Sequence, residues 1–301
     1  MCSTQSPKGI SLPERVDVPF FAYGALKPGE PAHYRVEPFL AKSPIPATIS
    51  GVLRMLDGLP LLDLHEKGTV NGFLLYFHSE VARNAYETIC QFEPRNHYAW
   101  RKNSPLKDRA VTAHVLIGKQ LQHGRAVPLE SDSWTFRNDP VFSKGLKVIR
   151  DVIKSEAAAK FEGTPPEDFD WKRFFTLQMA YLLLWSAVER YTALVVGAGL
   201  DPMARVRQFG RLSIFQEGFK KAGISRQDEV WDSRDPADRF ILDASDPSTA
   251  ILYYYQVRNN LSHRGKGAWK DGEIVRNSLR ELHMIFTSIV DAPPESPTAD
   301  E

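Results

Sequence analysis

The sequence predicts an α+β protein in two parts, a mainly β first half with one helix and an all-helical second half. Three observations carry this. Residues 16–134 consist of short β-branched and aromatic runs separated by Gly and Pro, the grammar of strands and turns. From about Leu146 onward the apolar residues recur every three or four positions, the period of a helix. The length of 301 residues allows roughly two domains.

The β half opens with PFFAYGAL, followed by ATISGVLRML, TVNGFLLYFH and AVTAHVLIG, with LKPGEP, LDGLP and HEKG as turns. Between the third and fourth runs, Ser79–Phe92 has helical spacing through Val81, Ala85, Ile89 and Phe92, with Ser79 placed as an N-cap. Residues 1–15 are expected to be a flexible N-terminus and 16–137 the first domain. A connection at 138–146 carries Asn138-Asp139-Pro140 and Gly145. The bundle is expected over 147–291. Its helices read as Gly145–Lys160, then Trp171–Leu200 stopped by Gly197 and Gly199. Another opens at Asp201-Pro202, and Ser248–Ser262 and Asp271–Val290 follow. Residues 223–248 read as an extended loop, and 292–301 as a disordered tail.

Composition excludes several classes. Hydrophobic residues are 43% and charged residues 25%, which rules out wholesale disorder and collagen. A net charge of +1 announces no global attraction to nucleic acid or membrane, so an anionic partner needs a local patch. Two cysteines, Cys2 and Cys90, build neither a disulfide framework nor a zinc site and fit a reducing cytoplasm. The N-terminus lacks the apolar core of a signal peptide. The run Met179–Val196 is interrupted by Ser186, Glu189 and Arg190, so it reads as a buried helix and not a membrane span. The expectation is a soluble cytoplasmic protein that needs neither metal nor cofactor.

Two constellations carry chemistry. The first is Tyr23-Gly24-Ala25-Leu26-Lys27-Pro28-Gly29, where a strand runs into a glycine turn that bares backbone N–H groups to an anion. An ordinary Gly-Pro turn has the same composition. The peptide resembles the YGSL-type opening of the γ-glutamylcyclotransferase-like family. Thr69–Tyr76 is similar to that family's V-x-G-x-x-Y strand, and Gln91-Phe92-Glu93-Pro94 with Tyr98 and Arg101 is similar to its acid/base region. The resemblance covers about the first 120 residues and implies a mixed α/β barrel. It makes Glu93 the acid/base residue, with Tyr23, Gly24, Ala25, Leu26, Tyr98 and Arg101 binding a γ-glutamyl small molecule. Three positions depart from the pattern: Ala25 replaces a Ser or Thr, Pro94 replaces a Gly, and the Tyr-x-x-Arg spacing is one residue longer.

The second constellation is Arg258-Asn259-Asn260-Leu261-Ser262-His263-Arg264-Gly265-Lys266. A helix C-terminus with its capping Gly and basic last turn reads the same way. Arg258 and His263 with the polar Asn259 between them resemble the R-x4-H motif of the HEPN family of helical nucleases, and Trp185–Glu189 is similar to one of that family's helices. The resemblance implies metal-independent RNA cleavage by a homodimer joined through the helical half, toxin-like or defence-related. His263 would be its acid or base, Arg258 and Asn259 its phosphate and orienting contacts. Arg264 and Lys266, with Lys270, add a basic cluster for RNA. Five residues along a helix turn Arg258 and His263 about 140° apart. They meet only if the helix frays at Asn259-Asn260 or if two protomers share the site. The combined expectation is an endoribonuclease with a ligand-sensing or ligand-processing first domain. The alternative is a γ-glutamylcyclotransferase whose helical half dimerises it or docks a partner.

Overall fold

The computed structural model describes residues 10–291, other than 109, 120, 122–125, 157–169, 198, 233, 234, 236 and 265–270. Of Asn103, His263 and Arg264 it describes the backbone alone. The described chain is α+β and divides into two compact units, residues 10–138 with 193–201, and 139–192 with 202–291.

In the first unit β1 (Phe20–Ala22), β2 (Ile45–Ser50), β5 (Thr69–Leu75), β6 (Tyr98–Pro105) and β7 (Thr112–Gly118) form one sheet in the order β2-β5-β1-β7-β6. The β1–β7 pair is parallel and the other neighbours are antiparallel. A second, antiparallel sheet has the order β4-β3-β8, from β4 (Leu59–Asp63), β3 (Val52–Leu56) and β8 (Val127–Pro128). Both sheets stay open among the described residues, so the expected barrel is not closed. The run ATISGVLRML is two strands and not one. Gly51 sits at φ +141°, and a Cβ there would lie 2.7 Å from the Asp63 carbonyl oxygen, so only glycine makes this corner between sheets. Asp57 and Gly58, both at positive φ, close the two-residue β3–β4 hairpin.

α1 (Ala82–Phe92) turns Ala85, Tyr86 and Ile89 inward, and the Tyr86 hydroxyl donates to the Val18 carbonyl at 2.6 Å. A side chain of the size of Ile89 contributes roughly 1.5–3 kcal/mol on burial. The helix starts three residues later than expected, and Ser79 bonds the Glu80 carboxylate instead of capping it. Residues 10–15 are not free. Ile10 N–H donates to the Cys90 carbonyl, Trp100 Nε1–H to the Ser11 carbonyl, and His114 Nε2–H to the Arg15 carbonyl.

The second unit holds α2 (Leu146–Ser155), α3 (Trp171–Val196, its last turn counted with the first unit), α4 (Pro202–Gly210), α5 (Ser213–Lys221), α6 (Pro247–Arg264) and α7 (Gly272–Val290). It is not all-α. The expected loop 223–248 contains an antiparallel pair, β9 (Asp228–Trp231) and β10 (Arg239–Leu242), packed on α6. The expected connection is folded as well: Asp139 and Phe142 are buried, Asp139 is paired with Arg190, and a π-helical turn at Val141–Gly145 leads into α2. α3 stops at Val196, where Gly197 takes φ +108°. It is the one described helix long and apolar enough to cross a membrane, yet Phe174, Leu177, Tyr181, Leu184, Trp185 and Val188 are buried within the protein. α6 runs unbroken through Asn259-Asn260, so the expected fraying does not occur. Of its tyrosine triplet, Tyr253 and Tyr254 are buried and Tyr255 packs half-buried against Trp185. Residues 157–160, Lys266, Lys270 and the tail 292–301 lie outside the described residues.

Candidate active site

The turn after β1 is built by its carbonyls. Gly24 C=O accepts from Lys27 N–H at 3.1 Å, Ala25 C=O from Ala32 N–H at 3.0 Å, and Leu26 C=O from His33 Nδ1 at 2.9 Å. In a trans peptide the C=O and the following N–H point opposite ways. Tying back the Gly24 and Ala25 carbonyls therefore turns the N–H groups of Ala25 and Leu26 outward. Neither has an acceptor among the described residues, although both residues are buried. Buried backbone donors are almost always paired, so two adjacent free ones mark a place for an anion or a polarised carbonyl. Gly24 is needed for the approach of the opposite wall, because a Cβ there would meet Pro60 Cγ at 2.9 Å.

Glu93 faces the same cleft. Its N–H closes α1 on the Ile89 carbonyl at 3.0 Å, and its own backbone is extended (φ −84°, ψ 132°). Pro94 enforces this, since a residue before proline is driven out of the helical region. The departure from Gly at 94 thus fixes where the carboxyl lies. Among the described residues no donor or cation meets that carboxyl, and burial alone pushes its pKa up to about 8. The cleft is lined by Tyr23, Gly24, Ala25, Leu26, Glu93 and Tyr98, with Leu59, Pro60, Phe92 and Leu116 among its apolar walls. Both phenols are engaged in structure. Tyr23 Oη donates to the Leu116 carbonyl at 2.7 Å and accepts from Leu62 N–H at 3.3 Å, while Tyr98 Oη donates to the Pro60 carbonyl at 2.7 Å. Burial raises the pKa of each, so they are neutral donors. The cleft is partly open, and it offers about 20 Å³, space for one water.

Arg101 is not part of this cleft. It is exposed on β6, three residues after the buried Tyr98, and an odd offset along a strand puts the two on opposite faces. The remaining first-unit expectations converge: Tyr23, Gly24, Ala25, Leu26, Glu93 and Tyr98 line one cavity. Leu59, Pro60 and Leu116 had no sequence signal, because only sheet pairing brings them there.

In the second unit, Arg258 Nη2 donates to Glu189 Oε1 at 3.2 Å and Nη1 to Asn259 Oδ1 at 3.2 Å; Trp185 Nε1 donates to the same Glu189 oxygen at 2.9 Å. Arg258 and Asn259 are therefore brought together, with Glu189 as an unforeseen partner. Position 263 lies about 140° around the same unbroken helix from position 258, on a different face. Arg264 closes α6, and Lys266 lies outside the described residues. No group of three His, Cys, Asp or Glu side chains able to hold a metal occurs among the described residues.

No family model, no curated protein and no solved structure matches this chain.

Proposed function

We propose that the first unit is a γ-glutamylcyclotransferase-like domain that releases 5-oxoproline from γ-glutamyl amines, with Glu93 as its proton carrier. The observation that carries this is the pairing of an unpartnered carboxyl with two acceptor-free backbone N–H groups, Ala25 and Leu26, on one cleft. Cyclotransfer needs both. Glu93 takes a proton from the substrate's α-amino group, the amine nitrogen attacks the γ-carbonyl carbon, and the ring closes. The N–H groups hold the oxygen that becomes negative. As the tetrahedral carbon collapses, the bond to the leaving amine breaks and the proton passes from Glu93 to that amine. The ring nitrogen then gives up its second proton, which Glu93 relays to the same amine, so the products are 5-oxoproline with one ring N–H and an ammonium. A pKa of about 8 matches the carboxyl to an amine proton donor. The bound ammonium favours the carboxylate form in turn. The turn hydroxyl absent at Ala25 is dispensable in this scheme, because the main chain supplies the donors. A γ-glutamyl substrate is larger than the cleft as it stands, so on this reading its binding requires the Leu59–Pro60 wall to give way.

The test is release of 5-oxoproline from L-γ-glutamyl-L-alanine by the whole chain. The wild type is expected to be active, and Glu93→Gln to lose at least about a hundredfold in kcat. Equal activity of the two overturns the reading.

A second reading rests on Arg258. Glu189 and Asn259 hold its guanidinium in place at a partly exposed site, as a phosphate contact requires. On this reading the second unit is a metal-independent endoribonuclease, and a second copy of the chain supplies His263.

A further inference from the structure

We infer that His33, outside the cleft, is a positioning residue that aims the Ala25 N–H at the reacting carbonyl. The inference rests on the cyclotransferase reading of the first unit. It follows from one chain of hydrogen bonds. His33 Nδ1 lies 2.9 Å from the Leu26 carbonyl oxygen. A carbonyl only accepts, so Nδ1 carries the proton. The peptide that bears this carbonyl also bears the N–H of Lys27, which donates to the Gly24 carbonyl at 3.1 Å. The Gly24 peptide bears the N–H of Ala25, a donor without an acceptor on a residue that lines the cleft. The path is therefore imidazole, peptide 26–27, peptide 24–25, cleft.

Each link polarises the next in the same sense, since every donor strengthens as its own carbonyl is pulled. The neighbouring residue completes the clamp: Ala32 N–H holds the Ala25 carbonyl at 3.0 Å and so aims the Leu26 N–H. The short 3-10 turn at His33–Arg35 delivers both donors together. His33 touches no reacting atom. Both its Nδ1–H tautomer and its imidazolium present the same donor, so its contribution does not follow its charge.

Three variants separate orientation from mere packing. Asn carries an amide donor near the place of Nδ1, whereas Gln places one nearer to Nε2. With L-γ-glutamyl-L-alanine as substrate, His33→Ala and His33→Gln are expected to lower kcat about tenfold, less than the outright loss of an oxyanion donor costs. His33→Asn is expected to restore kcat to within about threefold of wild type, with the pH profile unchanged in shape. A His33→Ala enzyme with wild-type kcat overturns the inference, as does a His33→Asn enzyme no better than His33→Gln.

An amide spectrum keeps the test independent of turnover. In ¹H–¹⁵N NMR of the full chain, the Ala25 amide is expected to move upfield in His33→Ala and to return in His33→Asn. An unmoved Ala25 amide overturns the inference whether or not 5-oxoproline is made. Absence of 5-oxoproline release from the wild type, with the Ala25 amide responding as expected, overturns the cyclotransferase reading and with it the role assigned to His33 in that reaction.

Discussion

The hydroxyl of Tyr98 donates a 2.7 Å hydrogen bond to the carbonyl of Pro60, fastening the strand after Glu93 to the strand that roofs its cleft. Pro60 also sits directly over Gly24, with no room for a Cβ between them. The Pro60 wall is thus held from two sides, beside a cleft that offers about 20 Å³.

Tyr98→Phe keeps the ring and removes this bond. The Pro60 carbonyl is left buried without its partner, so stability should fall by about 1–2 kcal/mol in urea unfolding. Opening the roof no longer breaks a hydrogen bond, so KM for a γ-glutamyl substrate should fall while kcat changes little. A higher KM would show that Tyr98 contacts substrate and does not merely latch the roof.

Glu93 should make the protein less stable as pH rises. Its carboxyl has a folded pKa of about 8, whereas in the unfolded chain it titrates near the ordinary value of about 4.3. The folded state therefore holds the proton over the interval between them. Stability contributed by the protonated form is full below about pH 4 and is lost as pH climbs through about 8. Glu93→Gln has no proton to lose. Its melting temperature relative to wild type should be several degrees higher at pH 9 than at pH 5, where a change of 1 kcal/mol moves the midpoint by about 2–4 °C. An identical difference at both pH values would place the Glu93 carboxyl in water.

The parts of this cleft legible in sequence are those with local causes. A glycine turn after an apolar strand marks Tyr23–Leu26, as any Gly-Pro turn would, and it is the family resemblance that singles out this turn and Glu93, with Pro94 standing as a departure from the pattern. Leu59, Pro60 and Leu116 arrive through strand pairing that no single segment records. β4 and β6 were hidden by Pro60 and by Arg101-Lys102, since both are edge strands, where proline and charge are tolerated. Reading 98–105 as a strand also removes Arg101 from the cleft by alternation alone. In the second unit the helical period survived almost everywhere. The β9–β10 pair was missed because four-residue strands among Asp, Ser and Pro leave too short a pattern to detect.

Arg226 should be a keystone of the second unit. Its guanidinium meets Glu281 at 2.5 and 2.9 Å and pairs with Asp228; Tyr253 and Tyr254 donate to those carboxylates at 2.7 and 3.0 Å. The array joins the approach to β9 with α6 and α7. Arg226→Met leaves Glu281, whose side chain is 12% exposed, without its cation, and should cost about 3–5 kcal/mol in urea unfolding. Replacing Glu281 by Gln in the same chain should recover part of that loss, because the uncompensated charge is gone. Strictly additive single and double variants would deny that the two groups are coupled.

The last prediction concerns the unbroken helix α6. With positions 258 and 263 on different faces, any RNA-cleaving site that uses both must take Arg258 from one copy and His263 from another. Arg258→Ala and His263→Ala proteins should then each be inactive on RNA in EDTA. Mixed in equal amounts and allowed to exchange subunits, they should regain about a quarter of wild-type activity. Half of the dimers become mixed, and in each of these one of the two symmetric sites has both intact groups. A site within one chain gives no recovery on mixing, since every chain lacks one group. Recovery that failed in the presence of full activity by the wild type would overturn the shared site and leave Arg258, held by Glu189, acting without His263.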